Sequence, residues 1–134
     1  MIWSGSLFTH FDESAWVDAL GHLRNAVAPD GVLVLTTHGA YAAAVAANDP
    51  LALSQCPQLV GGYGLKPAAA AAMVSDYQET GFGYARYPLG GTFGVSLSTD
   101  DWARERVAAA GFTLVEYLPR GWAAHQDVIM CTAK

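Results

Sequence analysis

Hydrophobic residues follow two different spacings within the first 39 positions. Between Asp12 and Ala28 they recur every three or four residues, as on one face of an amphipathic helix. The residues of this stripe are Trp16, Val17, Leu20, Leu23 and Val27. The apolar run 32–37 does not alternate, which is typical of a strand buried on both faces of a parallel sheet. A short strand is also predicted at the start of the chain, and its Trp3 is expected in the core. Together these segments predict a β-α-β unit and an α/β fold.

The last third of the chain has equally regular patterns. The sequence Ser-Thr-Asp-Asp at 98–101 can cap a helix that runs to Ala110 and is closed by Gly111. Two strands are then predicted, at 112–118 and 127–132, with a loop between them. Because that loop is short, the two strands should be antiparallel.

The pattern is looser between residues 40 and 97. Short helices are predicted at 40–48 and 66–80, while the glycine-rich stretches 80–84 and 89–94 are predicted to be turns. Connections of this length inside a compact domain are usually lids or binding loops. We therefore expect a single domain over 1–134 with a lid-like insertion at about 40–97.

Composition narrows the possible partners and location. The 134 residues are 52% hydrophobic but only 14% charged, which suggests that part of the surface is covered. A net charge of −5, with seven scattered Lys and Arg residues, makes nucleic acid an unlikely direct partner. Cys56 and Cys131 have neither disulfide nor zinc-ligand spacing, and no apolar run approaches the length of a membrane span. We expect a cytoplasmic protein without a membrane segment.

The order of these segments resembles the second half of class I S-adenosylmethionine-dependent methyltransferases that act on small molecules. The resemblance lies in the segment IWSGSLFTHFDESAWVDALGHLRNAVAPDGVLVLTTHG, the helix that starts at Ser98, the turn Ala-Gly-Phe at 110–112 and the strand 126–130. It implies a partial Rossmann-like sheet whose strands are equivalent to the fourth to seventh of that family, with the last strand antiparallel. It also implies S-adenosylmethionine as cofactor and a small-molecule methyl acceptor.

Two parts of that family's cofactor site have no counterpart in the sequence. The family holds the cofactor with a glycine-rich turn after its first strand and an acidic residue that ends its second strand. Gly61, Gly62 and Gly64 do not replace the turn, because they follow no clear strand. The chain is therefore expected to be the C-terminal half of such an enzyme, whether as a fragment, a shortened reading frame or one part of a two-chain enzyme. Alone, it should not hold the cofactor.

A second hypothesis is a non-catalytic binding or dimerisation module derived from the methyltransferase fold. An unrelated α/β hydrolase is disfavoured, because the chain has no Gly-x-Ser-x-Gly motif. The resemblance makes the first strand an open sheet edge and puts the helices on one face of the sheet. We accordingly expect a homodimer, or a second chain that covers this edge.

The candidate site lies where the parallel strands end, because ligands of open α/β sheets bind outside their carboxyl ends. By resemblance, Ser4 and Ser6 border the cofactor and the acceptor. His10 is the candidate catalytic base, since an unperturbed histidine has a pKa of about 6.5. It could instead order the loop before the first helix.

Further residues are candidates for binding the acceptor. They are Phe8, Phe11, His38, Tyr63 and Tyr84. The two tyrosines belong to an aromatic-rich insertion that could enclose an apolar acceptor, although ordinary packing would explain them equally well. His10, His38 and His125 are too scattered in the sequence for a metal site, and His125 to Asp127 are interpreted as a structural turn.

Overall fold

The structure is a computed structural model that describes residues 1–56 and 62–134. Its helices are α1 (Glu13–Ala26), α2 (Ala40–Ala46), α3 (Pro50–Gln55), α4 (Pro67–Thr80) and α5 (Asp100–Ala109). Its strands are β1 (Ile2–Ser4), β2 (Val32–Thr37), β3 (Phe82–Arg86), β4 (Gly94–Ser98), β5 (Phe112–Trp122) and β6 (Gln126–Ala133). Short 3-10 turns lie at Phe8–His10 and Gly62–Gly64. Of the glycine cluster near residue 62, Gly61 lies outside the described residues.

Four strands form the main sheet in the order β1-β2-β6-β5. β1 and β2 are parallel, and β6 is antiparallel to both β2 and β5. The predicted antiparallel last strand is therefore confirmed. β1 has one neighbour in the described sheet and forms its edge, as expected.

The first helix begins as the sequence predicts. Asp12 caps α1 by accepting a hydrogen bond from the backbone N–H of Ala15 at 2.9 Å. Trp16 and Leu20 face the sheet and are buried. Val17, however, is 49% exposed, so its assignment to the buried stripe is wrong. It is rotated about 100° from Trp16, which places it on the flank of the helix, outside the narrow contact with the sheet.

The helices α1 and α5 pack on one face of the main sheet and enclose its core. The fully buried residues of this core include Phe8, Trp16, Leu33, Leu35, Val107, Phe112, Ile129 and Cys131. Val32 and Val34 point to the other face and are only half-buried, so the prediction that β2 is buried on both faces is wrong. Trp3 is 47% exposed on that face, which corrects its predicted place in the core. None of the described helices covers this face.

The insertion has more regular structure than its sequence suggests. The predicted helices at 40–48 and 66–80 are confirmed as α2 and α4, but the stretch 80–84 continues into β3, which pairs with β4 as a hairpin. Gly83 permits this arrangement because a Cβ there would overlap the carbonyl oxygen of Met73 in α4. The glycine therefore marks a close backbone approach, and its assignment to a turn is wrong.

The C-terminal elements match their predictions except at one boundary. Thr99 caps α5 by accepting from the N–H of Trp102 at 3.2 Å, and Gly111 ends it in the left-handed region at φ 86°. β5 extends into the predicted loop at 119–125 and reaches Trp122 through an irregular register after Leu118. None of the described helices is long and apolar enough to cross a membrane.

Candidate functional site

The carboxyl ends of β1 and β2 carry a hydrogen-bonded polar network. Ser6, in the left-handed region at φ 54°, donates its backbone N–H to Thr36 Oγ1 at 2.8 Å. Thr36 Oγ1 donates to Gln126 Oε1 at 2.7 Å, and Gln126 Nε2 donates to Ser6 Oγ at 2.9 Å. Thr36 and Gln126 are buried, whereas Ser6 is exposed. The loop after β1 is therefore held to the ends of β2 and β6 by side chains that are themselves fixed.

Ser4, the last residue of β1, pairs with Leu35 at the same edge of the sheet. It is buried, and its hydroxyl has no hydrogen-bond partner among the described residues. A buried hydroxyl without a partner is costly, so a polar atom of a ligand at this edge would stabilise it. Ser4 and Ser6 are thus on adjacent parts of the same sheet edge.

The ring of His10 is held by the hairpin of the insertion. Its Nδ1 lies 2.9 Å from the carbonyl oxygen of Gly94 and 3.0 Å from the hydroxyl oxygen of Tyr87. Because a carbonyl can only accept, Nδ1 carries the proton in the neutral ring. The lone pair is then on Nε2, the nitrogen that could remove a proton from a ligand.

His38 follows β2 and is 2% exposed. Its ring lies against Tyr63 and His125, with centroids 4.7 and 5.6 Å away, and its Nδ1 has no partner among the described residues. Burial, with smaller contributions from the charges of His125 and His10, lowers the pKa of His38 to about 3. The ring is consequently neutral near pH 7 and can take part only through neutral hydrogen bonds.

Tyr63 adds a second buried polar group beside His38. Its backbone is in the left-handed region at φ 52°, a rare conformation for a residue with a ring. Its hydroxyl has no partner among the described residues, and burial raises its pKa above the ordinary value. His38 Nδ1 and the Tyr63 hydroxyl are therefore two polar groups without hydrogen-bond partners among the described residues, and they belong to adjacent aromatic rings.

The remaining candidates are aromatic residues with different environments. Phe11 stacks on Phe93, with centroids 6.1 Å apart, and Tyr84 donates its hydroxyl to the carbonyl of Thr92 at 3.0 Å. Phe8 is fully buried in the core, edge-on to Trp16. Its ring offers no surface to a ligand in this conformation. Phe11 and Tyr84 remain candidates for acceptor contact.

Sequence reasoning missed two residues of this edge. Thr36 and Gln126 were not assigned to the site, yet both bond to Ser6. Tyr87, which belongs to the aromatic-rich insertion, bonds to His10. The signal for Gln126 was present, because a last strand antiparallel to β2 must start where β2 ends. His125 is the last turn residue before β6, which confirms its interpretation as a structural turn. Gln126 and Asp127 are the first residues of β6, so for these two residues that interpretation is wrong.

The residues present fit only one side of a cofactor such as S-adenosylmethionine. Ser4 and Ser6 offer hydroxyls at the sheet edge, but neither β1 nor β2 ends in an acidic residue. The turn from β2 into α2 contains Gly39, where the carboxylate of Asp127 occupies the space that a Cβ would take. Within 1–56 and 62–134, no three His, Cys, Asp or Glu side chains are grouped to hold a metal ion.

No model of a known protein family and no curated protein sequence matches the chain. Solved structures of methyltransferases are similar to the chain, and two of them are described here. One is an O-methyltransferase family 2 protein from Planctomyces limnophilus in complex with apigenin, with 14% identity and a TM-score of 0.55 over 99% of this chain and 30% of that protein. The other is a SAM-dependent methyltransferase from Methanosarcina mazei, with 14% identity and a TM-score of 0.55 over 98% of this chain and 57% of that protein.

This chain therefore spans less than two thirds of the length of either neighbour. The likeness covers the four-stranded sheet and the insertion together, because nearly the whole chain is superposed. The chain has the fold of class I S-adenosylmethionine-dependent methyltransferases over this part of their length.

Proposed function

We propose that the chain forms the acceptor side of an S-adenosylmethionine-dependent methyltransferase for small molecules. The observation that carries the proposal is the orientation of His10, whose Nδ1–H is bound to Gly94 so that Nε2 is left as a base at the carboxyl edge of a methyltransferase-like sheet. The acceptor's hydroxyl or amine gives its proton to Nε2. S-Adenosylmethionine, if bound beside this edge, would supply the methyl group for that oxygen or nitrogen.

The acceptor is proposed to lie between His10 and His38, with aromatic rings as its walls. Phe11, Tyr63 and Tyr84 supply these walls, and the unpaired Tyr63 hydroxyl can bind a polar group of the acceptor. Phe8 supports the loop from the core. Ser4 and Ser6 would border S-adenosylmethionine, whose demethylated form is S-adenosylhomocysteine.

The isolated chain is proposed to be incomplete. Two serines provide too few polar contacts for a cofactor of this size, and the outer edge of β1 has no neighbour within the described sheet. We propose that another chain or segment pairs with this edge and supplies the remaining cofactor contacts. With two buried unpaired thiols, Cys56 and Cys131, the protein suits a reducing cytoplasm.

The test is an NMR titration of the full chain with two probes. p-Cresol, a small phenol, should shift the resonances of His10 and Tyr63, and the His10→Gln variant should weaken its binding, while the exposed-residue control His22→Gln should not. S-Adenosylhomocysteine should give no saturable shift. Absence of p-cresol shifts near His10 would contradict the acceptor site, and micromolar binding of S-adenosylhomocysteine would contradict the proposed incompleteness.

A second candidate function is a non-catalytic module that dimerises through the bare face of the main sheet. Trp3 and Trp122 pack edge-on there with centroids 5.0 Å apart, and both are nearly half exposed. An exposed apolar face can be buried against the same face of a second copy of the chain when a twofold axis relates the two copies. In this reading the edge residues bind a ligand without methyl transfer.

Sedimentation velocity of the full chain distinguishes this candidate. A dimer should form in wild type and in the control Leu89→Ser, which removes a fully exposed apolar residue from the hairpin turn. It should be lost in the double variant Trp3→Ser/Trp122→Ser. A monomer at all concentrations would exclude the dimer, and a dimer that survives the double substitution would place the interface elsewhere.

A further inference from the structure

A cavity of about 460 Å³ lies next to the end of β2, between α2, α4 and the hairpin formed by β5 and β6. Its walls include three tyrosine rings, Tyr41, Tyr77 and Tyr117. Its volume is in the range of sites for small organic molecules, about 300–1,000 Å³. The aromatic walls favour a ligand that is itself flat or cationic.

This cavity is separate from the site that contains His10. Successive residues of a strand point to opposite faces of its sheet. Gln126, the first residue of β6, bonds to Ser6 and Thr36, whereas Asp127 pairs with Thr37 and lines the cavity. Gln126 and Asp127 therefore lie on opposite faces of the sheet, and the cavity lining includes neither His10 nor its partners Gly94 and Tyr87.

Asp127 is the buried charge of the cavity. The residue is 4% exposed, and its carboxylate accepts hydrogen bonds from the Tyr117 hydroxyl at 2.6 Å and the Arg120 backbone N–H at 2.8 Å. No Lys, Arg or His side chain in the described part of the chain forms an ion pair with it. A buried carboxylate held by hydrogen bonds alone favours a cation beside it.

The field of this carboxylate reaches the far wall of the cavity. Tyr77, on α4, has a raised pKa, first because it is partly buried and second because of the negative charge of Asp127. The negative charge of Asp127 thus acts on Tyr77 across the cavity as well as on its hydrogen-bond partners. The other acidic side chain of the wall, Asp100, is already paired with Arg104.

Arg120 also lines the cavity, but its guanidinium is engaged elsewhere. It lies 3.9 Å from the centre of the Tyr41 ring, and it donates to the carbonyl of Ala124 at 2.9 Å and to Gln55 Oε1 at 2.8 Å. Its backbone is in the left-handed region at φ 56°, which is strained for a non-glycine residue. The bond from its N–H to Asp127 holds this conformation and turns the guanidinium towards the wall.

We propose that this cavity binds a small aromatic molecule that carries a protonated amine. The ammonium group pairs with Asp127, and the ring lies against Tyr77 and Tyr117. The site is independent of methyl transfer and of the cofactor. Arg120 closes one wall and gives the carboxylate its orientation through the backbone.

The test is calorimetric titration of the full chain with three phenyl-bearing probes of similar size and different charge. Phenethylamine should bind at least about tenfold more tightly than 3-phenylpropionate or neutral 2-phenylethanol, the ratio expected for one charged hydrogen bond in a partly buried site. Asp127→Asn should remove this preference, while Asp76→Asn, an exposed control on α4, should keep it. Near-ultraviolet circular dichroism checks that the variants are folded.

The comparison of probes on the wild-type chain needs no variant, so it decides the proposal even if Asp127→Asn unfolds. Equal binding of the three probes, or none at all, would overturn it. A preference for 3-phenylpropionate that disappears in Arg120→Gln would also overturn it, because the guanidinium would then govern the cavity. Under the proposal, Arg120→Gln leaves the binding of phenethylamine unchanged or tightens it.

Discussion

Substitution of Gly39 by alanine tests how the turn from β2 into α2 is built. A Cβ at this position would overlap Oδ2 of Asp127 and lie 3.2 Å from the Tyr117 hydroxyl. The carboxylate must then move away from its hydrogen bonds with Tyr117 and with the backbone of Arg120. Both bonds involve a charged acceptor that is buried.

The size of the effect follows from these two bonds. A hydrogen bond to a charged group contributes about 1.5–3 kcal/mol, so losing both costs about 3–6 kcal/mol. Replacing glycine by alanine restricts the unfolded chain and returns about 0.4–1 kcal/mol. We therefore expect Gly39→Ala to lower the free energy of unfolding by about 2–6 kcal/mol.

Urea unfolding followed by circular dichroism measures this difference. The matched control is Gly21→Ala in α1, where a Cβ meets nothing within 4 Å and should raise stability by up to about 1 kcal/mol. In an Asp127→Ala background the obstructing atom is gone, so Gly39→Ala should cost little. An equal cost in both backgrounds would refute the reasoning, because strain unrelated to the carboxylate would then be responsible.

Three further predictions concern stability. The pKa of His38 is about 3 in the folded protein and about 6.5 in the unfolded chain, so unfolding takes up a proton below pH 6.5. The free energy of unfolding should therefore fall from pH 6.5 towards pH 3, by about 2 kcal/mol at pH 5. His38→Asn should flatten this dependence in urea titrations at several pH values, and a curve left unchanged by His38→Asn but altered by His22→Asn would contradict the assignment. Asp12→Ala should cost about 1 kcal/mol by removing the cap of α1, and an unchanged urea midpoint would argue against the cap. Leu35→Ala should cost about 2–5 kcal/mol in thermal and urea unfolding, against little change for Leu89→Ala; similar costs for both would show that Leu35 is not a core residue.

The stretch that contains the hairpin shows why part of the fold could not be predicted. Glycines at 81, 83 and 94 resemble turn signals, and two of them are instead places where backbones come close: a Cβ at Gly83 would overlap α4, and one at Gly94 would overlap the carbonyl of Ala85 in β3. A glycine required for close packing and a glycine required for a turn look the same in one sequence.

The sequence predicts the position of the candidate site, because the site follows the ends of the two parallel strands. Ser4, Ser6, His10 and His38 lie at the carboxyl edge where the parallel strands predicted them. The hydrogen-bond partners of Ser6 and His10 come from 30 to 120 residues away, so local patterns carry no information about them. The same is true of the depressed pKa of His38, which depends on burial.

The sequence by itself determined the helices α1, α4 and α5, the strand β2 and the antiparallel direction of β6, because spacing, caps and loop length are local properties of the chain. Only the tertiary structure decided that Trp3 and Trp122 are exposed on one face of the sheet. It also decided that Asp127 lines a cavity and that its carboxylate lies against Gly39. Both depend on which surfaces of distant segments meet, and that choice is made by packing.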